Sequence, residues 1–434
     1  MTIGVVGLWH LGEIFSVCLS ELGIKVIGID ENDLAVDGLN RNLPPIAEPK
    51  LDQLLKKNLT SGRLRYTSDY RSLKKCSVLW LTFDTPVDKR DRADTTIITK
   101  ALAKSLPYLR NNVLLIVSSQ LPVGTSHQII DYIKKNRPRL KFEYAYVPEN
   151  LRLGEAVDSF FQPGRIVIGA DQPTTQKKVI SILKNLKTDF LAMNLISAEM
   201  VKHALNAFLA TSLSFIYDVA DACEAVGGDI VAVSRALKAD PRIGPRAYLD
   251  ASLGFSGGTL ARDLQYILEA ARKHRLPTPV IKAVLAKNKR RPDILFQKLD
   301  HHLAPLKNKK VALFGLTYKA GTPTLRRSLA LDLARRLNQS GAHLSLCDPL
   351  VQTREVSAIL KNTRLEFSAD PYIAVKGCQV VIFVTPWEQL KDLNFEKLRR
   401  QMKRPAIFFD ARNYFHQIDS KLKHLGFTYI GVGR

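Results

Sequence analysis

The sequence predicts an α/β protein in which two Rossmann-like, doubly wound domains are joined by a central helical domain. Short apolar runs alternate with helical patterns over the first part of the chain, which is typical of a parallel sheet with helices on both faces. The pattern changes to continuous helix at Ser197, and the alternation begins again at Lys310. We therefore expect an N-terminal domain over 1–195, a central helical domain over 196–300 and a C-terminal domain over 301–434.

The first predicted unit is a strand, a glycine turn, a helix and a second strand. An apolar run at 3–7 ends at a glycine, a helical pattern follows through Ile14 and Leu22, and a second apolar run covers 25–30. This is the beginning of a βαβ unit. Further strands of the same sheet are predicted at 78–82, 113–118, 144–147 and 165–168.

The central and C-terminal elements follow from the same periodicities. Ser197 is the predicted N-cap of a long helix that ends near Gly227, and a second helix is predicted over 260–274. In the last third, a helix is predicted over 328–340. The strands predicted there cover 311–315, 343–347, 380–385 and 406–409.

The composition is that of a globular protein. The chain has 434 residues, of which 46% are hydrophobic and 24% charged, and this length exceeds a single comfortable core. The apolar runs are strand-sized, and the first residues lack the basic region and cleavage site of a secretory signal. We therefore expect a cytoplasmic protein with no membrane partner. Five scattered cysteines without a CxxC pair indicate neither a disulfide framework nor a metal site, and most should be buried.

The net charge of +23 raises the question of a polyanionic partner. The charge is spread along the chain, with denser runs at 287–291, 307–310 and 397–404, and no zinc finger or aromatic-interleaved basic helix accompanies it. We expect no nucleic-acid partner. A basic nucleic-acid-binding protein stays the third alternative, which predicts a steep salt dependence of affinity. A basic cleft for a phosphorylated small molecule also fits.

Residues 7–12 lie where a dinucleotide fingerprint belongs, after the first strand and at the start of the first helix. Such a turn directs backbone N–H groups and the helix dipole at a pyrophosphate. Asp30 ends the next strand, where a carboxylate accepts hydrogen bonds from ribose hydroxyls and disfavours a 2′-phosphate. The middle glycine of the fingerprint is replaced by Trp9. A doubly wound fold that has lost its cofactor is the alternative, but the placement of Asp30 favours NAD.

Two further segments carry candidate chemistry. Lys202 and Asn206 lie one turn apart on one face of the long, largely apolar helix. A lysine that stabilises an oxyanion and a lysine that extends to solvent are equally supported by this spacing. The glycine-rich segment 254–259 is followed by Asp263. The segment 315–319, together with Arg326, repeats the arrangement of a strand, a loop and a basic residue. Each could hold an anion or simply connect two elements.

Taken in order, these segments and several shorter ones resemble the UDP-glucose/GDP-mannose dehydrogenase family over nearly the entire chain. The matching segments are 7–12, 48–49, 85–86, 121–125, 148–154, 165–169, 198–206, 242–244, 254–263, 315–319, Arg326, 348–349, 385–387 and 410–413. The resemblance implies an N-terminal NAD domain, a central helical domain that forms a homodimer, and a C-terminal domain that holds the nucleotide sugar.

The resemblance also implies the chemistry. Members of the family oxidise a sugar C6 alcohol to a carboxylate with two NAD, and a cysteine thiolate forms a thioester in the second step. By this resemblance Glu149 orients water, Lys202 and Asn206 stabilise oxyanions, and Asp263 acts as a base or organises water. The cofactor-binding residues would be Gly7, Leu11, Gly12, Asp30, Thr85 and Ser119. The substrate-binding residues would be Leu151, Arg242, Phe255, Gly257, Lys319, Arg326 and Arg412.

The sequence departs from the family where the second oxidation should occur. Thr259 occupies the position of the nucleophilic cysteine, and Gln120 and Leu153 replace a threonine and a glutamate that handle water. Arg262 replaces the lysine before the aspartate. We therefore expect an NAD-dependent oxidoreductase for a UDP-glucose-like sugar with an altered or non-covalent second oxidation. The alternative is a non-catalytic nucleotide-sugar-binding paralogue.

Overall fold

The computed structural model describes residues 1–85, 94–149, 151–256, 258–303, 305–361 and 365–434. The chain divides into two compact units, Met1–Ala204 and Leu205–Arg434. Each unit contains a doubly wound sheet, and the central helices complete the predicted α/β, helical, α/β order, so the predicted fold class is confirmed.

The N-terminal unit is built on a sheet that has eight strands in the described residues. They are β1 (Thr2–Val6), β2 (Lys25–Ile29), β3 (Leu64–Thr67), β4 (Val78–Leu81), β5 (Val113–Val117), β6 (Phe142–Tyr146), β7 (Ile166–Gly169) and β8 (Phe190–Met193). Their order is β3-β2-β1-β4-β5-β6-β7-β8, and the neighbours pair in parallel except β6 with β7. The edge strands β3 and β8 and the antiparallel pair were not predicted.

Both faces of this sheet are buried, which explains its continuous apolar strands. Ile3 and Val5 of β1 pack into one core, whereas Val6 packs into the core on the other face, as the two-residue period of a strand requires. The flanking helices are α1 (His10–Glu21), α2 (Asp33–Asn40), α3 (Leu51–Thr60), α4 (Thr96–Ser105), α5 (Thr125–Asn136), α6 (Ala156–Phe161) and α7 (Pro173–Leu183). Short 3-10 helices lie at Tyr70–Lys75 and Leu106–Tyr108.

Helix α8 (Leu195–Ala225) continues from the N-terminal unit into the C-terminal one. Its predicted N-cap, Ser197, is wrong. The Asn194 side chain accepts a hydrogen bond from Ser197 N at 2.8 Å, and the helix therefore begins three residues earlier than the capping pattern suggested. The end was predicted correctly, because Gly227 has φ +76 and Gly228 N donates to Cys223 O at 2.7 Å.

The C-terminal unit combines the central helices with a second sheet. The helices are α9 (Ile230–Ala239), α10 (Thr259–Lys273), α11 (Pro279–Arg290), α12 (Asp293–Leu303), α13 (Leu329–Gln339), α14 (Thr353–Ile359), α15 (Pro371–Ala374), α16 (Phe395–Gln401) and α17 (Asp419–His424). The strands are β9 (Lys310–Phe314), β10 (His343–Cys347), β11 (Leu365–Phe367), β12 (Val380–Phe383), β13 (Ile407–Asp410) and β14 (Thr428–Ile430). They pair in parallel in the order β11-β10-β9-β12-β13-β14, and the short edge strands β11 and β14 were missed. Short 3-10 helices lie at Glu388–Leu390 and His416–Ile418.

Two expectations from composition can be compared with these elements. Within the described ranges, no helix combines the length and the apolarity needed to cross a bilayer. Four of the five cysteines are buried and all five are free thiols, which confirms the expectation of mostly buried cysteines.

Helix α1 carries a carboxyl group in an apolar environment. Glu13 is fully buried, and neither carboxyl oxygen has a hydrogen bond of good geometry, although the Ile46 backbone N–H lies beside it. Burial, reinforced by the nearby carboxylate of Glu48, raises the pKa of Glu13 to about 9. The folded protein therefore holds this side chain in its neutral form at neutral pH.

We expect the Glu13→Gln variant to gain stability relative to the wild type as the pH rises. The unfolded chain ionises Glu13 near its ordinary pKa of 4.5, whereas the folded chain keeps the proton up to about pH 9. The free energy of unfolding of the wild type therefore loses up to ~1.4 kcal/mol per pH unit between these values. Urea unfolding at about pH 5.5 and pH 8.5 measures the difference between variant and wild type.

Glu21 on the same helix provides the control. Its hydrogen bond with Lys57 lowers its pKa, so its contribution is lost only as the pH falls into the acid range. The stability of Glu21→Gln should therefore stay at a constant offset from the wild type over this window. A constant offset for Glu13→Gln as well would contradict the assignment of a neutral buried carboxyl.

Candidate active site

The turn between β1 and α1 has the geometry of a dinucleotide-binding turn. Gly7 has φ +96, and a Cβ on Gly12 would lie 1.7 Å from Gly7 O, so the backbone requires glycine at both positions. Trp9 has φ −84 and ψ −162, an extended conformation that any residue adopts. The replacement of the middle glycine by tryptophan therefore strains nothing in the turn itself.

A cleft of about 500 Å³ lies beside this turn. Asp30, Trp9, Tyr70, Phe83 and Lys100 are among its lining residues, and the Trp9 side chain is 55% exposed. The first intrahelical bond of α1 runs from Glu13 N to Trp9 O, so the amides of residues 10–12 at the start of the helix have no intrahelical acceptor and can meet an anion. Aromatic walls, a carboxylate and a helix N-terminus suit an adenosine diphosphate, so the residues present fit NAD.

Asp30 is oriented by the backbone of the turn. Its Oδ2 accepts a hydrogen bond from Leu8 N at 2.7 Å and its Oδ1 accepts one from Asn32 N at 3.0 Å. Each carboxylate oxygen has a second lone pair for a ribose hydroxyl. The side chain is only partly buried and lines the cleft, as expected for a carboxylate that accepts hydrogen bonds from ribose hydroxyls.

Thr85 and Ser119 lie beyond the carboxyl ends of β4 and β5, the edge of the sheet at which doubly wound proteins bind ligands. Thr85 Oγ1 donates to Gln120 O at 2.7 Å, and Ser119 Oγ accepts from Phe83 N at 2.8 Å. The two loops are therefore joined through both predicted residues. The side chain of Leu11 is buried in the core, so this residue could contact a cofactor only through its backbone.

Lys202 does not extend to solvent. Its side chain is 11% exposed, and Nζ donates to Glu149 O at 2.7 Å and to Glu149 Oε1 at 3.2 Å. Glu149 Oε2 in turn accepts from Leu151 N at 2.8 Å. The lysine is thus directed at Glu149 on the inside of the unit, and a preorganised ammonium of this kind can stabilise an oxyanion.

Asn206 lies one turn beyond Lys202 on α8 and bonds to a different carboxylate. Its Nδ2 donates to Asp263 Oδ2, and both side chains are buried. Asp263 lies on α10, one turn after Thr259, which is the first residue of that helix and is exposed. The structure of the C-terminal unit thus brings Thr259, Asp263 and Asn206 into one neighbourhood.

The second sheet begins with a turn of the same design, but its carboxylate is used internally. Asp348 is fully buried, and its oxygens accept from Leu316 N at 2.6 Å and from Trp387 Nε1 at 3.2 Å, with further bonds from nearby backbone amides. Lys319 follows this turn and is partly buried, and Arg326 is exposed. Arg412 Nε donates to Val384 O at 3.1 Å, and burial lowers the pKa of its guanidinium.

The predicted substrate residue Arg242 is exposed and paired with a neighbour. Arg242 has an 88% exposed side chain that pairs with Asp240, with Nη2 and Oδ2 2.7 Å apart. Gly257 lies outside the described residues. Phe255, in contrast, is partly buried and hydrogen-bonded through its backbone to Asn288.

Sequence reasoning assigned no role to several residues that hold these loops. Glu199 is fully buried on α8, and its carboxylate accepts from Gly124 N at 2.5 Å and from Ser126 N at 2.7 Å at the N-terminus of α5. Burial raises the pKa of Glu199. His203, one turn later, bonds to Leu121 O at 2.8 Å. An acid and a histidine at this spacing in an apolar helix were the available signal.

Comparison with known proteins agrees with this geometry. Three models of the UDP-glucose/GDP-mannose dehydrogenase family match: its NAD-binding domain over residues 1–187, its central domain over 196–290 and its UDP-binding domain over 312–417.

Similar proteins cover the whole chain. The UDP-glucose 6-dehydrogenase of Rickettsia conorii is 32% identical over 438 residues, which span 100% of this chain and 99% of that protein. The UDP-glucose 6-dehydrogenase TuaD of Bacillus subtilis is 34% identical over 439 residues, with coverage of 100% and 93%. The solved structure of a UDP-glucose dehydrogenase from Pyrobaculum islandicum superposes with a TM-score of 0.89 at 29% identity, with coverage of 100% and 97%.

We expect NAD to bind more tightly than NADP, and we expect Asp30→Asn to narrow that difference. The carboxylate in the cleft repels a 2′-phosphate, and the amide does not. Calorimetric titration with both dinucleotides measures the ratio of the two affinities. Asp33→Asn, which removes the same charge from an exposed position on α2 outside the cleft lining, should leave the ratio unchanged. Equal narrowing in both variants would show that net charge, not the Asp30 contact, sets the preference.

Proposed function

Because the chain belongs to the UDP-glucose/GDP-mannose dehydrogenase family, we propose that it oxidises the C6 hydroxyl of a UDP-glucose-like nucleotide sugar and that its second oxidation is altered. Its family and relatives make the chain an NAD-dependent nucleotide-sugar dehydrogenase, which confirms the predicted family, enzyme class and cofactor. The identity of the sugar and the course of the second step belong to the proposal. UDP-glucose is suggested by the names of the relatives.

The first oxidation requires a base, a hydride acceptor and charge stabilisation at the sugar oxygen. Bound NAD supplies the hydride acceptor. In our proposal, the Lys202 ammonium and the Asn206 amide stabilise the developing alkoxide, since they lie one turn apart on α8. Asp263 and water bound to it take the proton that leaves the hydroxyl. The C6–H bond breaks, its hydrogen leaves with the bonding electron pair as a hydride to the acceptor, and the product is an aldehyde.

The second oxidation lacks a thiolate. Thr259 replaces the cysteine, and a threonine hydroxyl ionises far above neutral pH, whereas a free thiol has a pKa of ~8.5. Burial raises the pKa of Cys76 to about 11 and those of Cys347 and Cys378 to about 12, and raises that of Cys18 further. Cys223 lies on α8, 17 positions after Asn206 and hence about 25 Å along the helix. None of the five can replace the missing nucleophile.

A non-covalent route remains open to these residues. Water adds to the aldehyde to give a hydrate. Hydride transfer from the hydrate to a second NAD, with loss of one proton, gives the carboxylic acid, which loses a second proton to become the carboxylate. In our proposal Glu149 orients that water, but Gln120 and Leu153 supply fewer groups to hold it than a threonine and a glutamate. We infer that aldehyde is released, or that its hydrate is oxidised slowly.

The observation that carries the proposal is the pairing of Lys202 with Glu149 and of Asn206 with Asp263. A non-catalytic nucleotide-sugar-binding paralogue would need neither a largely buried lysine nor a buried carboxyl group at these positions. Burying such groups costs free energy unless they are hydrogen-bonded, and their retention favours catalysis of at least the first step.

We further propose that the chain acts as a homodimer through its central helical domain, with domain limits at 195/196 and 300/301. The support is an apolar stripe on α8: Phe208 is 69% exposed and Phe215 is 54% exposed, and they lie seven residues apart on one face. A second copy of this helix would cover both rings. A cytoplasmic location stays a prediction.

We expect Lys202→Ala to fold normally and to lower turnover roughly 10²-fold or more, the usual effect of removing one preorganised charge-stabilising donor. NADH formation with UDP-glucose measures turnover, and circular dichroism checks the fold. Lys177→Ala, at an exposed position on α7, is the control and should leave turnover unchanged. Wild-type turnover in a folded Lys202→Ala enzyme would show that the lysine is only structural.

We expect about one NADH per sugar consumed, with an aldehyde that a hydrazine reagent traps, because no thioester forms without a thiolate. NADH absorbance and product mass together give the ratio. A ratio of about two without trappable aldehyde, combined with aldehyde release by Thr259→Ala, would show that Thr259 supports the second step.

The converse variant is Thr259→Cys. We expect it to restore little second-step activity, because Gln120 and Leu153 still leave the hydrolytic water poorly held. Full two-step oxidation by this single change would show that the nucleophile alone was missing.

A further inference from the structure

The loop over residues 252–256 is hydrogen-bonded beside two of the predicted nucleotide-sugar residues of the C-terminal unit. Leu253 N donates to Ala411 O at 3.3 Å, next to Arg412, and Ser256 Oγ donates to Tyr318 O at 3.1 Å, next to Lys319. Beyond the loop the chain enters α10 at Thr259. A shift of this loop would therefore move several predicted substrate contacts together.

The C-terminal turn of α11 is hydrogen-bonded to this loop. Asn288 Oδ1 accepts from Phe255 N at 2.8 Å, and Asn288 Nδ2 donates to Phe255 O at 3.1 Å. One side-chain amide thus satisfies both backbone groups of Phe255, as a neighbouring strand would. Arg291, just beyond the helix, donates through Nε to Ser252 O at 2.7 Å.

The backbone of the loop is shaped around the asparagine. Gly254 has φ +120, and a Cβ at this position would lie 3.0 Å from Asn288 Oδ1. Any larger residue at 254 would be strained and would crowd the amide. The loop can therefore approach α11 only because residue 254 is glycine.

Arg291, which bonds to Ser252, is itself held by several contacts. The Arg291 side chain is fully buried, is ion-paired with Asp221 and lies over the Tyr217 ring at 4.9 Å. Tyr217 Oη and Ser252 Oγ lie 3.0 Å apart. The end of α11, with Asn288 and its C-cap Arg291, is therefore held by several contacts, and so is the loop that it meets.

We propose that Asn288 is a positioning residue for the nucleotide sugar: it sets the place of Phe255 and, through the loop, of the residues around the substrate. The proposal rests on the proposed function, since it presupposes that a nucleotide sugar binds in the C-terminal unit. Without the amide, Phe255 loses both backbone partners, and the loop moves to reach water. The N-terminal unit that carries the dinucleotide turn keeps all of its contacts.

The test compares two variants with a matched control. Asn288→Ala removes both bonds, and Asn288→Asp keeps the acceptor for Phe255 N but opposes Phe255 O with a carboxylate. The control is Asn40→Ala, because Asn40 makes the same reciprocal pair with Tyr66, with Oδ1 to N and Nδ2 to O both 3.1 Å, in the N-terminal unit. The measured quantities are KM and kcat for UDP-glucose and for GDP-mannose, KM for NAD, and the affinity for UDP by calorimetry.

We expect Asn288→Ala to raise the KM of the accepted sugar about tenfold and to lower kcat/KM by about 10- to 100-fold, as loss of positioning does. The KM for NAD should stay within about twofold. Asn288→Asp should fall between wild type and alanine variant. Asn40→Ala should lower stability without changing the KM of the sugar, which separates positioning from a general loss of stability.

Three results would overturn the proposal. A folded Asn288→Ala enzyme with the wild-type KM for the sugar shows that the loop does not need the amide. Equal weakening of NAD and sugar shows a general structural effect. If Asn288→Ala does not fold, a wild-type KM in Asn288→Asp is the opposing result. Failure of the wild type to bind UDP-glucose, GDP-mannose or UDP instead contradicts the proposed function itself. This result is seen before any variant is made.

Discussion

The predicted site residues depend on a stripe of polar side chains in the first part of helix α8. Glu199, Lys202, His203 and Asn206 follow one another at helical spacing, and each is bonded to a loop or helix that carries predicted functional residues. A buried polar group without a partner costs ~1–3 kcal/mol, so each of these groups constrains the segment it meets. Within the N-terminal unit, α8 therefore fixes the loop after β5 and the segment around Glu149, and within the C-terminal unit Asn206 fixes helix α10. A change in the start of α8 would disturb the contacts in the N-terminal unit.

The two sheets begin with similar turns, and the use of one carboxylate distinguishes them. In both, an aspartate after the second strand accepts from the amide that follows the turn glycine: Asp30 from Leu8 N and Asp348 from Leu316 N. Asp348 is buried and also takes the Trp387 indole, whereas Asp30 lines an open cleft. The same βαβ design therefore leaves a carboxylate at an open cleft in the N-terminal unit and buries it to stabilise its own turn in the C-terminal unit. This difference in burial is consistent with an NAD domain at one end and a UDP domain at the other.

The periodicity of the sequence was enough to predict the fold class and most central strands, because strands buried on both faces are continuous apolar runs. The edge strands β3 and β11 were missed, since their exposed positions interrupt the pattern, as at Arg65 and Glu366. The N-cap of α8 was misplaced because Asn194 and Ser197 are equally good caps. For the site, motifs led to Lys202 and Asp263, but no local signal marked Asn288. Its contact with Phe255 spans 33 residues of sequence and exists only in the folded chain.

In the proposed function the departures from the family pattern affect only the second oxidation, and the contacts of the chain's own residues give a reason why the two oxidations can separate. In that proposal, charge stabilisation at the sugar oxygen depends on Lys202 and Asn206, and each of them has a hydrogen-bonded partner. By the family resemblance, covalent catalysis depends on one cysteine thiolate, and Thr259, the first residue of α10, stands at that position. A helix N-terminus lowers the pKa of a thiol there by enough to produce thiolate near neutral pH, but the same field leaves a threonine hydroxyl protonated. In the proposed function, the threonine at residue 259 therefore removes the nucleophile but leaves the hydrogen bonds of Lys202 and Asn206, so that loss of the covalent step does not require loss of the first oxidation.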